Sequence, residues 1–163
     1  MKIELYTDGA CRGNGTASNP VAGLGIVLII GDQPPIFYKE ELFFEPNTNN
    51  KAEIYAVIAG LKLLWSTYYP NLDNFYKDNL TIYSDSSYTI NGITEWINNW
   101  RANGWKTANK QDVKNKELWQ ILDENLEQAK KQFNISFIKV KGHNGDRWNE
   151  KCDQLANEAM DNE

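Results

Sequence analysis

The sequence predicts an α/β domain: a mixed five-stranded sheet, three antiparallel strands followed by two parallel ones, flanked by helices on both faces. Three observations lead there. Three strand-like segments precede any helical period, strand and helix periods then alternate to the end, and the segment "ISFIKV" is apolar on both faces, as a buried strand would be.

The elements follow in order. Residues 2–7 alternate in strand fashion; Gly23–Ile30 and Ile36–Phe44 are two more strands, joined by "GDQPP", whose prolines suit a turn. In "NTNNKAEIYAVIAGLKLLW" the residues Ile54, Val57, Ile58, Leu61, Leu64 and Trp65 fall on one helical face, with Asn49 or Asn50 as N-cap. "LTIYSD" is a short strand, after which Ser86 or Ser87 caps a helix carrying Ile90, Ile93, Ile97 and Trp100, with Gly92 placed to bend it. Leu118, Ile121, Leu122, Leu126 and Ala129 mark another helix, closed by Lys130 and Lys131 at its negative pole. "ISFIKV" is the fifth strand, and Leu155, Ala156, Ala159 and Met160 define a last helix.

Composition narrows the class. The 163 residues suffice for one domain, 1–163, with its own core, and no repeat or linker divides them. The longest apolar run, "VAGLGIVLII", is about half of the roughly 20 residues that span a bilayer. No apolar signal segment opens the chain, so a cytoplasmic protein without a membrane partner is expected. Two cysteines, Cys11 and Cys152, make no disulfide framework. No heptad seam argues for self-association, so a monomer without an obligate protein partner is expected. The net charge of −5 is unusual for a nucleic-acid binder, yet residues 101–116 hold five basic side chains against one acid, Asp112.

Two acids stand at the carboxyl ends of strands, where ligands of open α/β sheets gather: Asp8 after the first strand and Asp85 after the fourth. Each acid has a plain structural reading. Asp before Gly is a turn signal, Asp85 before two serines can open a helix, and Glu53 and Asp153 sit early in helices, where the dipole favours them. Four acids flanking the segments that would bring them together point instead to one carboxylate pocket. Such hard oxygen donors, without clustered Cys or His, suit Mg²⁺ or Mn²⁺ rather than zinc.

The pieces "YTDGACRGNG", "TNNKAEIYAV", "YSDSSYTINGI", "WKTANKQDVKNKELW" and "VKGHNGDRWNEKCDQLA", in that order, resemble type 1 ribonuclease H over almost the whole chain. The resemblance implies a ribonuclease H-like fold and an endonuclease that cuts the RNA strand of an RNA–DNA hybrid with two Mg²⁺ ions, Mn²⁺ being a possible substitute. Asp8, Glu53, Asp85 and Asp153 match its metal-binding acidic tetrad, and His143 in "KGHNG" matches its proton-handling loop histidine. Substrate contacts implied in the same way are Cys11, Asn14, Asn49, Asn50 and Ser87 toward the RNA minor groove. Thr48 and Asn99 match the DNA phosphate pocket; Trp96, Arg101, Lys106 and Lys110 fall in the basic protrusion, about residues 96–116.

Departures from the family pattern accompany the match. Ser87 replaces a longer amide side chain, Pro46 and Asn47 replace a more polar approach to "TNN", and the protrusion carries fewer cations than is common, which leads us to expect weaker, more salt-sensitive binding. No separate hybrid-binding module is expected ahead of the first strand. Two other readings share these features: a non-catalytic hybrid-binding module, and another nuclease or transferase of the wider superfamily. The complete set of acids speaks against the first, and the "KGHNG" loop with the protrusion against the second.

Overall fold

Side-chain alternation along the first two strands divides the sheet into two unlike faces. In a computed structural model that describes residues 1–13, 20–68, 76–141 and 146–161, β1 (Lys2–Arg12) directs Ile3 and Leu5 to one side, and β2 (Val21–Ile30) adds Leu24, Ile26 and Leu28. All five are fully buried. The opposite side carries Tyr6 and Asp8, facing Val27 and Gly25 of β2 in antiparallel register. With β3 (Ile36–Leu42), β4 (Asp78–Ser84) and β5 (Phe133–Lys139), the sheet order is β3-β2-β1-β4-β5. β1, β2 and β3 pair antiparallel, whereas β1–β4 and β4–β5 are parallel, as the order of periods in the sequence requires.

Helix α1 (Asn49–Thr67) covers the first face with Ile54, Val57, Ile58, Leu61 and Leu64. Beside it lies α4 (Lys116–Lys130), which buries Trp119, Leu122, Leu126 and Ala129. Helix α5 (Arg147–Met160) covers the second face over β1, β2 and β3. Its close approach depends on Gly25: a Cβ there would run into the carbonyl oxygen of Cys152. The glycines that interrupt "VAGLGIVLII" are therefore where a helix backbone rests.

Between β4 and α4 the chain forms α2 (Ser87–Asn91), a π-helical segment (Gly92–Trp96) and α3 (Ile97–Ala102). Ser86 caps the first of these, its Oγ accepting from the Thr89 N–H at 3.1 Å. Gly92 opens the π-helical segment and lies against the Trp119 ring.

Four expectations change. β5 is an edge strand, not a buried one: Ile138 is 44% exposed, and α5, the helix over the second face, packs on β1, β2 and β3. Thr48, rather than Asn49 or Asn50, caps α1, its Oγ1 accepting from the Lys51 N–H at 3.2 Å. Trp65 and Ile121 continue the helical periods but are 40% and 42% exposed at the margins of α1 and α4. Asn47, read as a departure from a more polar approach to "TNN", is buried: it donates to Pro20 O and Leu42 O and accepts from the Phe44 N–H, tying the turn after β3 to the start of β2.

Candidate active site

The sequence placed Asp8 at the exit of a strand, but β1 runs on to Arg12. What stops near Asp8 is one of its two ladders. Pairing with β4 ends at Thr7–Ser84, while pairing with β2 continues to Arg12–Val21. From Asp8 onward β1 thus has an open flank, and Asp85, the first residue beyond β4, turns into the space beside it.

Helix α1 fills that flank as a neighbouring strand would. Glu53 Oε1 accepts from the Gly9 N–H, and Asn49 Oδ1 accepts from the Cys11 N–H at 2.9 Å. The match is geometric: residues two apart on a strand are spaced about 7 Å, and residues four apart on a helix about 6 Å. Gly9 makes the approach possible, because a Cβ there would overlap the backbone of Ala52 and Glu53. "DG" at positions 8–9 is therefore not a turn; its glycine is the seat of a helix.

The outcome is a carboxylate cluster. Ligand oxygens of Asp8, Glu53 and Asp85 lie within 4.8 Å of one another. Asp8 and Glu53 are buried and Asp85 is half-buried. Glu53 stands in the second turn of α1, beyond the reach of the helix dipole that the sequence offered as its plain reading. Burial pushes the Asp8 carboxyl up to about 8, with the neighbouring charges of Asp85 and Asp153 adding to the effect. Glu53 is also raised well above the ordinary carboxyl range, first by burial and then by Asp8 and Asp85. Asp153, half-buried in the second turn of α5, lies outside the tight group of three but is close enough for its charge to act on Asp8. Asp146 fixes the start of that helix, its Oδ1 accepting from the N–H groups of Trp148 and Asn149 at 3.1 and 3.0 Å. Cys152, fully buried beneath Asp8, has its thiol pushed up by burial and by the Asp8 charge, so it stays protonated and is no competitor for a cation.

The predicted substrate residues separate into groups. Cys11, Thr48 and Asn49 gather at the open flank of β1, with Asn50 next on α1. Ser87 is exposed in the first turn of α2, and Asn99 is exposed on α3. His143 and Asn14 lie outside the described residues. Trp96 is half-buried, its ring against Tyr88 and Trp100 at centroid distances of 5.8 Å each, so it belongs to the aromatic packing of the protrusion. Arg101 holds Asp123 with two donors and approaches Glu127, while Lys106 and Lys116 both reach Asp112. Among the described residues, Lys110 and Lys114 make no such ion pair.

Sequence reasoning missed Gly9, Asn47 and Asp146. A signal existed for two of them: Asp146 precedes a helical period as N-caps do, and Gly9 pairs with the period of α1 through Asn49 and Glu53. Asn47 had none: Phe44 and Leu42 are near it in sequence, but its third partner, Pro20, is brought to it only by the folded chain.

A family model described as RNase H matches residues 1–161. A protein named Ribonuclease H from Clostridium botulinum (strain Hall) is 46% identical over 163 residues, spanning 98% of this chain and 96% of the relative. Among solved structures, LC9-RNase H1, a type 1 RNase H with the type 2 active-site motif, superposes with a TM-score of 0.76 at 23% identity over 98% of this chain and 72% of that one. LC11-RNase H1, solved in complex with RNA/DNA hybrid, gives a TM-score of 0.66 at 21% identity over 98% of this chain and 96% of the other. At those identities the two structures speak for the fold.

Proposed function

The chain belongs to the RNase H family, and from that premise we propose that it is an endonuclease hydrolysing the RNA strand of RNA–DNA hybrids, acting as a monomer in the cytoplasm. The observation that carries the reading is the convergence of Asp8, Glu53 and Asp85 at one open strand flank. A relative of the same fold was solved with an RNA/DNA hybrid, which supports the substrate class.

The donor set fits a hard divalent cation. Three carboxylates crowd together, two of them buried, and burial with mutual repulsion raises Asp8 and Glu53 until a counter-charge relieves them. Asp8, Glu53, Asp85 and Asp153 would hold two Mg²⁺ ions, or Mn²⁺ in their place. Such ions, when bound, supply a nucleophilic water at neutral pH and neutralise charge on the departing 3′ oxygen.

The chain's own groups do the rest. The Gly9 N–H fixes one oxygen of Glu53, leaving the other to face the cluster. Asn49 holds β1 in place beside it, and Cys11, Asn14, Asn49, Asn50 and Ser87 are the groups to meet the 2′-hydroxyl edge that distinguishes RNA from DNA, while Thr48 serves the DNA phosphate pocket with Asn99. His143, just ahead of α5 in the sequence, takes and returns the proton during attack and product release, leaving 5′-phosphate and 3′-hydroxyl ends. Trp96, Asn99, Arg101, Lys106 and Lys110 line the side of the DNA strand, where contacts to phosphate give affinity without sequence choice.

A duplex with one labelled RNA strand tests this directly, incubated with Mg²⁺ beside chelator, duplex DNA, duplex RNA and Asp8→Asn controls. Cleavage confined to the hybrid and dependent on both metal and Asp8 is the expected result. Binding without cutting in Mg²⁺ and in Mn²⁺ would replace the nuclease with a hybrid-binding module.

A further inference from the structure

On the second face of the sheet, where α5 begins, four side chains form a continuous ladder of rings and cations. Phe37 of edge strand β3 and Trp148 of α5 stand 6.2 Å apart between ring centroids. The Lys151 Nζ lies 4.9 Å from the Phe37 centroid, and the Arg147 guanidinium lies 4.2 Å from that of Trp148. Together with Glu150 and Gln154 they line a shallow cavity of about 350 Å³. Phe37 is 47% exposed, a large apolar ring left in solvent on an edge strand.

Its charges are uncommitted, unlike those of the protrusion. Among the described residues, neither Arg147 nor Lys151 has a carboxylate within ion-pair distance, whereas Arg101, Lys106 and Lys116 all do. On a chain of net charge −5 these are cations kept without a carboxylate partner among the described residues, beside one exposed and one half-buried ring. Position adds to composition. Phe37 is in register with Val27 and Tyr6, one residue pair short of the Asp8 row and two strands across, which puts it about 12 Å from Asp8. Trp148 belongs to the helix that carries Asp153. Nucleic acid crossing the carboxylates reaches this ladder within about four nucleotide steps.

We propose that Phe37, Trp148, Arg147 and Lys151 form an auxiliary site for unpaired nucleic acid, taking a single-stranded extension of the hybrid as it leaves the carboxylate cluster. The inference rests on the hybrid-nuclease reading for its location. The exposed Phe37 ring, the half-buried Trp148 ring and the guanidinium plane over it offer stacking surfaces to bases whatever their sequence, and the two cations answer the phosphates. A paired duplex end has no unstacked base to give, so the site favours extended substrates over blunt ones.

The experiment compares kcat/KM on a blunt hybrid with that on the same hybrid carrying ten unpaired nucleotides at either end of its RNA strand. Wild-type protein is expected to favour one extended form by about tenfold. The double variant Arg147→Glu/Lys151→Glu, and separately Phe37→Ser, are expected to erase that preference while leaving the blunt hybrid unchanged. No preference in the wild type, or equal losses on blunt and extended hybrids, overturns the proposal. Anisotropy of a labelled single-stranded oligonucleotide alone reads the ladder even if no hybrid is cut, which separates failure of this site from failure of the nuclease reading. Displacement of that oligonucleotide by unlabelled oligothymidylate but not by polyaspartate is expected. Equal displacement by polyaspartate would make the patch an acidic-peptide surface and overturn the assignment.

Discussion

The carboxylate cluster and the basic protrusion are built on opposite principles. In the cluster, like charges are forced together: β1, α1 and the end of β4 meet there, glycine allows close contact, and Asp8 and Glu53 are held where burial and repulsion oppose their ionisation. In the protrusion, opposite charges are already satisfied, Arg101 by Asp123 and Lys106 by Asp112, around a packed set of rings from Tyr88, Trp100, Trp105 and Trp119. The first region stores an unmet demand for cations; the second has spent most of its own. A functional site announces itself by what its fold leaves unbalanced, and by that measure residues 101–116 are more structural than their five basic residues suggest.

The contrast breaks most visibly at Asp8. Asp8→Asn should lower hybrid cleavage by about 10³-fold or more, the scale of losing a preorganised charged group, while raising the melting temperature in chelator. Cleavage assays paired with thermal melts would register both changes. Gly9→Ala comes next: its methyl group meets the backbone of Ala52 and Glu53, so α1 must retreat, at a stability cost of about 1–3 kcal/mol and with much of the activity lost.

The pH response of the metal-free protein is a finer test. Asp8 rises from an ordinary value of 3.8 to about 8 in the folded chain, so its contribution to stability is complete below the ordinary value and disappears as pH climbs through 8. Melts in chelator should therefore fall by at least about 5 °C between pH 5 and pH 9, and the Asp8→Asn protein should show a flatter profile. An identical slope in both proteins would place the unmet charge elsewhere. Asn49→Ala, which strands the Cys11 N–H, should destabilise by about 1 kcal/mol in denaturant titrations. The smallest effects belong to the protrusion: Lys110→Ala and Lys114→Ala should each reduce the salt slope of hybrid binding by at most about 1, and Arg101→Ala by less, since its guanidinium is held by Asp123.

Much of this was legible in the sequence because periodicity and order are local properties. The three antiparallel strands, the long apolar face of α1 and the parallel pair followed from alternation and spacing alone, and of the four acids flanking those elements the fold brings three, Asp8, Glu53 and Asp85, tightly together. The errors arose where the deciding contact is distant. "ISFIKV" is apolar enough for a central strand, but its burial depends on whether a helix crosses that margin, and α5 lies over β1 to β3 instead. The pairing of Arg101 and Lys106 is hidden in the sequence of the protrusion, because Asp123 lies on another helix and Asp112 across a turn. Thr48 displaced two asparagines as the cap because Asn49 was already engaged with β1.

The open flank of β1 has a consequence outside chemistry. A strand whose outward N–H groups lack partners is a template on which a strand of another molecule can add, the usual beginning of edge-to-edge aggregation. Glu53 and Asn49, by accepting from Gly9 and Cys11, close that template without adding a strand. The helix that completes the pocket thereby also closes this stretch of β1 to an added strand, leaving β3 and β5 as the edges of the sheet.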